Sequence, residues 1–220
     1  MTINIAGQSV DINVEKMNLC KVNISDISQL QYLVNLRYLA LEENKIVDLE
    51  PLRSLKKLKV LLLCHNQIID ITPIQDAIDL TVLSFWDNRI TDISALSKLT
   101  NLEQLGLGNN QIRDLTPMSK MIHLVETDLE HNQISDIAPL EVLVGISRLY
   151  LSDNQIENIE PLKALTNLSE LGLYQNKISD LSPLYALKKL KKLEISNNPL
   201  KKEQVDELRK VLPQCEIIFD

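Results

Sequence analysis

LRYLALEENKI, residues 36–46, decides the fold, because it returns 22 residues later as LKVLLLCHNQI, residues 58–68. Leu36, Leu39, Leu41, Asn44 and Ile46 reappear as Leu58, Leu61, Leu63, Asn66 and Ile68. The asparagine then recurs at Asn88, Asn110, Asn132, Asn154, Asn176 and Asn198, with no insertion or deletion between them. A strict period of this length marks a stack of like coils, each able to bury its apolar edge only against its neighbours.

The register extends outward at both ends. Val14, Met17 and Leu19 fill the three apolar columns of a first, capping rung, with Val22 where asparagine would stand. At the far end Leu212, Cys215 and Ile217 are expected one period after Leu190, Leu193 and Ile195, with Asp220 at the asparagine position, which makes ten rungs. Within a rung the L-x-L stretch alternates with period 2, as a half-buried strand does. Ile46, Leu49, Leu52, Leu55 and Leu58 step by three instead, predicting 3₁₀-like turns on the opposite side. Pro51, Pro73, Pro117, Pro139, Pro161 and Pro183 suit the first position of those turns. Asp48, Asp70, Asp92, Asp114, Asp136 and Asp180, with Asn158 substituting once, read as caps that accept orphan backbone N–H groups. The asparagine ladder is expected to be structural, its amides pairing backbone groups that the buried turn hides from water.

LxxLxLxxNxI followed by x-D-[IL]-x-P-L resembles the 22-residue class of leucine-rich repeats over roughly residues 14–220. Members include the bacterial internalins and the leucine-rich regulatory subunit of protein phosphatase 1. The resemblance implies an α/β leucine-rich-repeat solenoid, a right-handed arc with a parallel β-sheet on the concave side and 3₁₀-like turns on the convex side. The D-[IL]-x-P-L and LTNL stretches, the latter at residues 99–102 and 165–168, are similar to internalins and imply a protein that touches a host receptor. Similarity to the phosphatase regulator implies an intracellular partner held by acidic and aromatic concave residues, although residues 201–220 depart from that family's cap.

One domain is expected across residues 1–220: a cap hairpin and first rung at 1–22, repeats at 23–200, and a cap helix and strand at 201–220. Ile3, Ile5, Val10, Ile12 and Val14 alternate about a turn at Gly7 like a short hairpin. Val205, Leu208 and Leu212 line one side of a helix ended by Pro213.

Composition narrows the function. Hydrophobic residues make up 45% and aromatics only 4%, so the core is built of leucine and isoleucine layers. A formal charge of −7 with scattered lysines offers no concentrated basic footprint for nucleic acid or anionic membrane. Residues 1–10 lack the basic and long apolar regions of a secretory signal, and no apolar run is long enough to span a bilayer. The expectation is a cytoplasmic monomer, or a secreted protein if a signal peptide has been removed. Three cysteines give no disulfide framework and fit a reducing compartment.

Nor does chemistry emerge, and no catalytic residue, metal ligand or cofactor is predicted. His65 and His131 share a column but lie three rungs, about 14 Å, apart, too far to share a metal. Cys20 and Cys64 are two rungs, about 9.5 Å, apart, beyond disulfide reach. Cys64 precedes His65, but adjacent strand residues face opposite ways and nothing orients the imidazole. Glu126, Asp128 and Glu130 place three carboxylates on the concave side. Glu126 continues through Arg148, Glu170 and Lys192 as a ladder of alternating charge, in which neighbours are expected to neutralise one another. Asp128 and Glu130 lack cationic column neighbours and are expected to be free.

Three columns face outward beside the buried leucines. They hold four of the eight aromatic residues, Tyr38, Trp86, Tyr150 and Tyr174, where about one is expected. Exposed Trp and Tyr on a rigid sheet are the residue types of binding hot spots. Phe85 and Phe219 are read as core or end cap, Tyr32 and Tyr185 as ordinary convex surface. Tyr38, Val60, Leu62, Cys64, Val82 and Trp86, with Ser84 among them, form an apolar half, and Asp128, Glu130, Tyr150 and Tyr174 an acidic and aromatic half. Gly106 and Gly108 between them are expected to leave a dent for a partner's side chain. The function these residues predict is a non-enzymatic module binding, on its concave face, a protein with a basic and apolar contact surface. A hydrolase using Asp128 and Glu130 as acid and base is the remote alternative.

Overall fold

The computed structural model describes residues 2–5 and 7–220; Met1 and Ala6, both within the expected cap hairpin, lie outside the described residues. Strands β1 (Thr2–Ile5) and β2 (Gln8–Asp11) form an antiparallel hairpin in which Ile3 pairs with Val10. Ten three-residue strands follow as one parallel sheet: β3 (Lys16–Asn18), β4 (Tyr38–Ala40), β5 (Val60–Leu62), β6 (Val82–Ser84), β7 (Gln104–Gly106), β8 (Glu126–Asp128), β9 (Arg148–Tyr150), β10 (Glu170–Gly172), β11 (Lys192–Glu194) and β12 (Glu216–Ile218). From β3 to β11 each strand pairs with the next at an offset of 22 residues, as Leu61 does with Leu83. The sheet lines the concave side of a leucine-rich-repeat arc, and 3₁₀ turns of three to five residues form its back.

Each period serves one continuous core. Leu58, Leu61, Leu63, Ile68, Ile71, Ile74 and their equivalents are almost wholly buried. Thr127 takes a leucine's place in this column, donating its hydroxyl to the Leu105 carbonyl at 3.0 Å so that no polar group is left unpaired.

The asparagine ladder follows the expected logic. Asn110 is buried; its Nδ2 donates to the carbonyls of Phe85, Leu107 and Gly108 at 3.1, 3.0 and 3.1 Å, while its Oδ1 accepts the Ile90 N–H at 2.9 Å. One side chain thus ties its own rung to the one before it. The residue before each asparagine, from Glu43 and His65 to Gln175 and Asn197, has a φ of 51–56°. That left-handed kink turns the chain out of the strand, and no glycine marks it.

The acids do cap the turns, one position earlier than a usual N-cap. Asp48 Oδ1 accepts the Glu50 N–H at 2.7 Å and Asp114 Oδ1 the Thr116 N–H at 2.8 Å, while the cap position itself is Leu49 or Leu115. Asp26 does the same for Ser28 in the first rung. Where proline occurs it is the second residue of its 3₁₀ segment rather than the first, tolerated because the early N–H groups of a helical turn have no internal acceptor.

At the C-terminal end the register departs from expectation. Helix α1 (Lys202–Val211) replaces the 3₁₀ turn and consumes two more residues, so Leu193 pairs with Ile217, not Cys215. Phe219 rather than Ile217 then follows Ile195 in the column. Cys215 sits half-buried at the edge of the core, and burial pushes its thiol up to about 11. Val205, Leu208 and Leu212 are buried as expected, whereas Tyr185 is partly covered against the core instead of lying free on the surface.

Candidate functional site

The outward positions of β4 to β10 come from strand alternation: with Leu61 and Leu83 turned into the core, Val60, Leu62, Val82 and Ser84 must face the hollow. All eleven residues proposed for binding, Tyr38, Val60, Leu62, Cys64, Val82, Ser84, Trp86, Asp128, Glu130, Tyr150 and Tyr174, are half-buried and none lies in the core. Tyr38, Val60 and Val82 are direct neighbours across three strands, so the apolar half is contiguous.

Trp86 stands at its edge. The His65 ring meets the indole edge-on, with centroids 4.9 Å apart and planes at 68°, and His65 Nδ1 lies 2.7 Å from Asp87 Oδ2. On its other side the indole crosses Gly108: a Cβ built there would lie 2.5 Å from Trp86 Cδ1 and 2.8 Å from Asp128 Oδ1. The dent expected at Gly106 and Gly108 is therefore already occupied. Ser84 Oγ fills the place over Gly106, and the Trp86 and Asp128 side chains converge over Gly108. Glycine permits this because its missing side chain leaves room for neighbours from both flanking strands.

Asp128 is correspondingly less free than its column suggested. Its carboxylate accepts the Glu130 N–H at 3.0 Å, and burial raises its pKa above the ordinary 3.8, with the Glu130 charge adding to the rise. The charge ladder is also shorter than expected. Arg148 pairs with Glu126, but Glu170 accepts instead from the Tyr150 hydroxyl at 3.0 Å, and Lys192 has no ion-pair partner among the described residues. Tyr150 is pushed up to about 12, by burial first and by the Glu170 carboxylate second. Tyr174 accepts a bond from Asn197 Nδ2 at 2.9 Å.

The cysteines show no activation. Cys64 Sγ lies 3.0 Å from Ser84 Oγ and Cys20 Sγ 3.6 Å from Glu42 Oε2, and burial raises both thiols, which lowers the thiolate fraction a nucleophile needs. Among the described residues no group of three His, Cys, Asp or Glu is placed to hold a metal ion, and no helix is long and apolar enough to cross a membrane.

One feature of this face was missed from sequence. A hollow of about 330 Å³ opens between Tyr150, Gly172 and Glu194, with Glu130, Glu170 and Lys192 around it. The signal was available, since Gly172 lies between large residues in its column, as Gly106 does not. A larger hollow on the convex turns, near Glu50, Arg53, Lys56 and Asp76, is lined by charges that already pair with one another, Lys56 with Asp76 at 3.1 Å for example.

A family model described as Leucine Rich repeats (2 copies) matches residues 34–76, 78–120 and 166–210. No curated protein matches the chain. Among solved structures, an internalin (inlF) from Listeria monocytogenes is 30% identical over 97% of this chain and 70% of that one, with a TM-score of 0.79. Internalin C2 of the same organism is 26% identical over 99% of this chain and 87% of that one, TM-score 0.76. A leucine-rich-repeat protein of Leptospira interrogans is 26% identical over 89% and 57%, TM-score 0.70. With the family model matching more than half of its residues, and an internalin aligned along almost its whole length, this chain belongs to the leucine-rich-repeat family and within it resembles the internalins.

Proposed function

We propose that the protein is a non-enzymatic binding module that docks a protein partner on its concave face. Trp86 with Val60, Leu62 and Val82 serves as the apolar anchor, and Asp128 with Glu130 selects a basic counterpart. The observation that carries this reading is the contiguous, half-exposed apolar surface ending at a tryptophan that the core does not need, beside carboxylates with no cationic partner in their columns. Leucine-rich-repeat folds are typical protein-interaction modules, and a rigid sheet presents such residues with little ordering cost. Similarity to internalins favours a receptor-type partner over the phosphatase-regulator reading. The hydrolase reading loses support, because Asp128 is tied to the backbone and does not line the hollow that Glu130 borders, so no pocket brings the two carboxylates together.

The test is affinity capture from extracts of the source cell with wild type, Trp86→Ala and, as a convex-side control, Tyr32→Ala. Loss of the captured species with Trp86→Ala alone is the expected result. Capture that survives Trp86→Ala but not Tyr32→Ala places the binding surface on the back of the arc.

A further inference from the structure

The hollow beside Gly172 differs from the rest of the concave face in having a floor, walls and a charge. Gly172 is buried and pairs with Tyr150 on one side and Glu194 on the other, so two large side chains flank a position with none. A Cβ there would lie 3.0 Å from Ser152 Oγ, 3.3 Å from Glu130 Oε1 and 3.5 Å from Tyr150 Cδ1, which places the Glu130 carboxylate and the Tyr150 ring at the rim of the floor. The Tyr150 wall is held in place by its hydroxyl bond to Glu170 Oε2.

The lining is negative. Three carboxylates, Glu130, Glu170 and Glu194, face one cation, Lys192, which is exposed and forms no ion pair among the described residues. Glu194 spends one oxygen on the Ser196 N–H at 3.0 Å, Glu170 accepts from Tyr150, and no donor among the described residues reaches the Glu130 carboxylate. These carboxylates are too dispersed to hold a metal ion. A cation that satisfies them must be broad and carry several donors. Arginine has both properties, a planar fork that bridges separate carboxylates and a face that stacks on a tyrosine ring. About 330 Å³ lies at the small end of ligand sites and suits one side chain rather than a peptide segment.

We propose that the Gly172 hollow is a subsite for a single arginine side chain of the protein partner. It rests on the concave-face reading above and adds to it a second, polar contact some four rungs from Trp86.

Titration of the full ¹⁵N-labelled chain with N-acetyl-arginine amide tests it, with the neutral isostere N-acetyl-citrulline amide as control. Saturable amide shifts centred on Gly172 and Glu130 are expected with arginine and none with citrulline. Glu130→Gln, which preserves shape, should weaken binding by about fivefold, the order expected for losing one charge-assisted bond. Gly172→Ala should abolish it by filling the floor, and Trp86→Ala should leave it unchanged. Equal shifts with citrulline, unsaturable shifts scattered over acidic surface, or wild-type binding by Glu130→Gln or Gly172→Ala would each overturn the proposal. If that happens while Trp86→Ala still abolishes capture, the hollow is rejected and the concave-face reading stands. Retained arginine binding alongside capture that ignores Trp86→Ala would reject the apolar anchor instead.

Discussion

Trp86 and Asp128, two strands apart, both lean into the place a side chain at Gly108 would fill: a Cβ there would lie 2.5 Å from Trp86 Cδ1 and 2.8 Å from Asp128 Oδ1. Gly108→Ala puts a methyl where both already are. Overpacking of this kind costs about 1–3 kcal/mol. Trp86 is the only tryptophan, so its fluorescence reports the displacement directly. A lower melting temperature together with shifted emission is expected; unchanged emission would mean that the indole does not lie over Gly108.

Asp128 and Asp114 should respond to pH in opposite directions. Burial raises the folded-state pKa of Asp128 above 3.8, so the folded protein binds that proton more tightly than the unfolded chain, and stability falls as pH rises through 3.8 to the folded value. Asp114 is lowered by the Thr116 hydroxyl and N–H; its contribution is present above 3.8 and lost as pH falls through its lower folded value. Melting curves between pH 3 and 7, windows set by those ordinary values, should therefore show Asp128→Asn gaining on wild type with rising pH and Asp114→Asn falling behind it. Parallel curves for the two variants would contradict the assignment.

Asn110→Ala leaves the buried Ile90 N–H without its acceptor and takes one donor from each of three carbonyls, Phe85, Leu107 and Gly108, which keep a second donor in Asn88, Asn132 and Asp87. At about 1–3 kcal/mol for the one buried group left unpaired, a loss of about 2 kcal/mol or more is expected in urea unfolding. Asn101→Ala removes one exposed bond to the Ile78 carbonyl and should cost less than about 1 kcal/mol. Similar losses at the two positions would show that the ladder is not what joins the rungs.

Much of the fold was legible because period carries it. Once Leu36 and Leu58 define one column, strand direction, turn type and the outward face of Val60 and Trp86 follow by counting. Counting failed where geometry changed: a ten-residue α-helix covers its distance differently from a 3₁₀ turn, so Cys215 was placed opposite Leu193 when Ile217 is. The left-handed residues from Glu43 to Asn197 gave no sign, since sequence rules look for glycine at such angles and here the repeat imposes them on Glu, His, Asp and Gln. The site was legible as columns but not as surfaces. A column shows that Gly108 lacks a side chain, whereas only coordinates show that Trp86 and Asp128 cover it, and that the Tyr150 hydroxyl bonds to Glu170.

Photo-crosslinking from individual positions tests the proposed docking face most directly. A photoreactive amino acid placed in turn at Trp86, Tyr150 and the convex Tyr32, then illuminated in source-cell extract, should trap one and the same protein from Trp86 and Tyr150 and nothing comparable from Tyr32. The same adduct arising from Tyr32, or unrelated adducts from Trp86 and Tyr150, would contradict the claim that the hollow of the arc receives the partner.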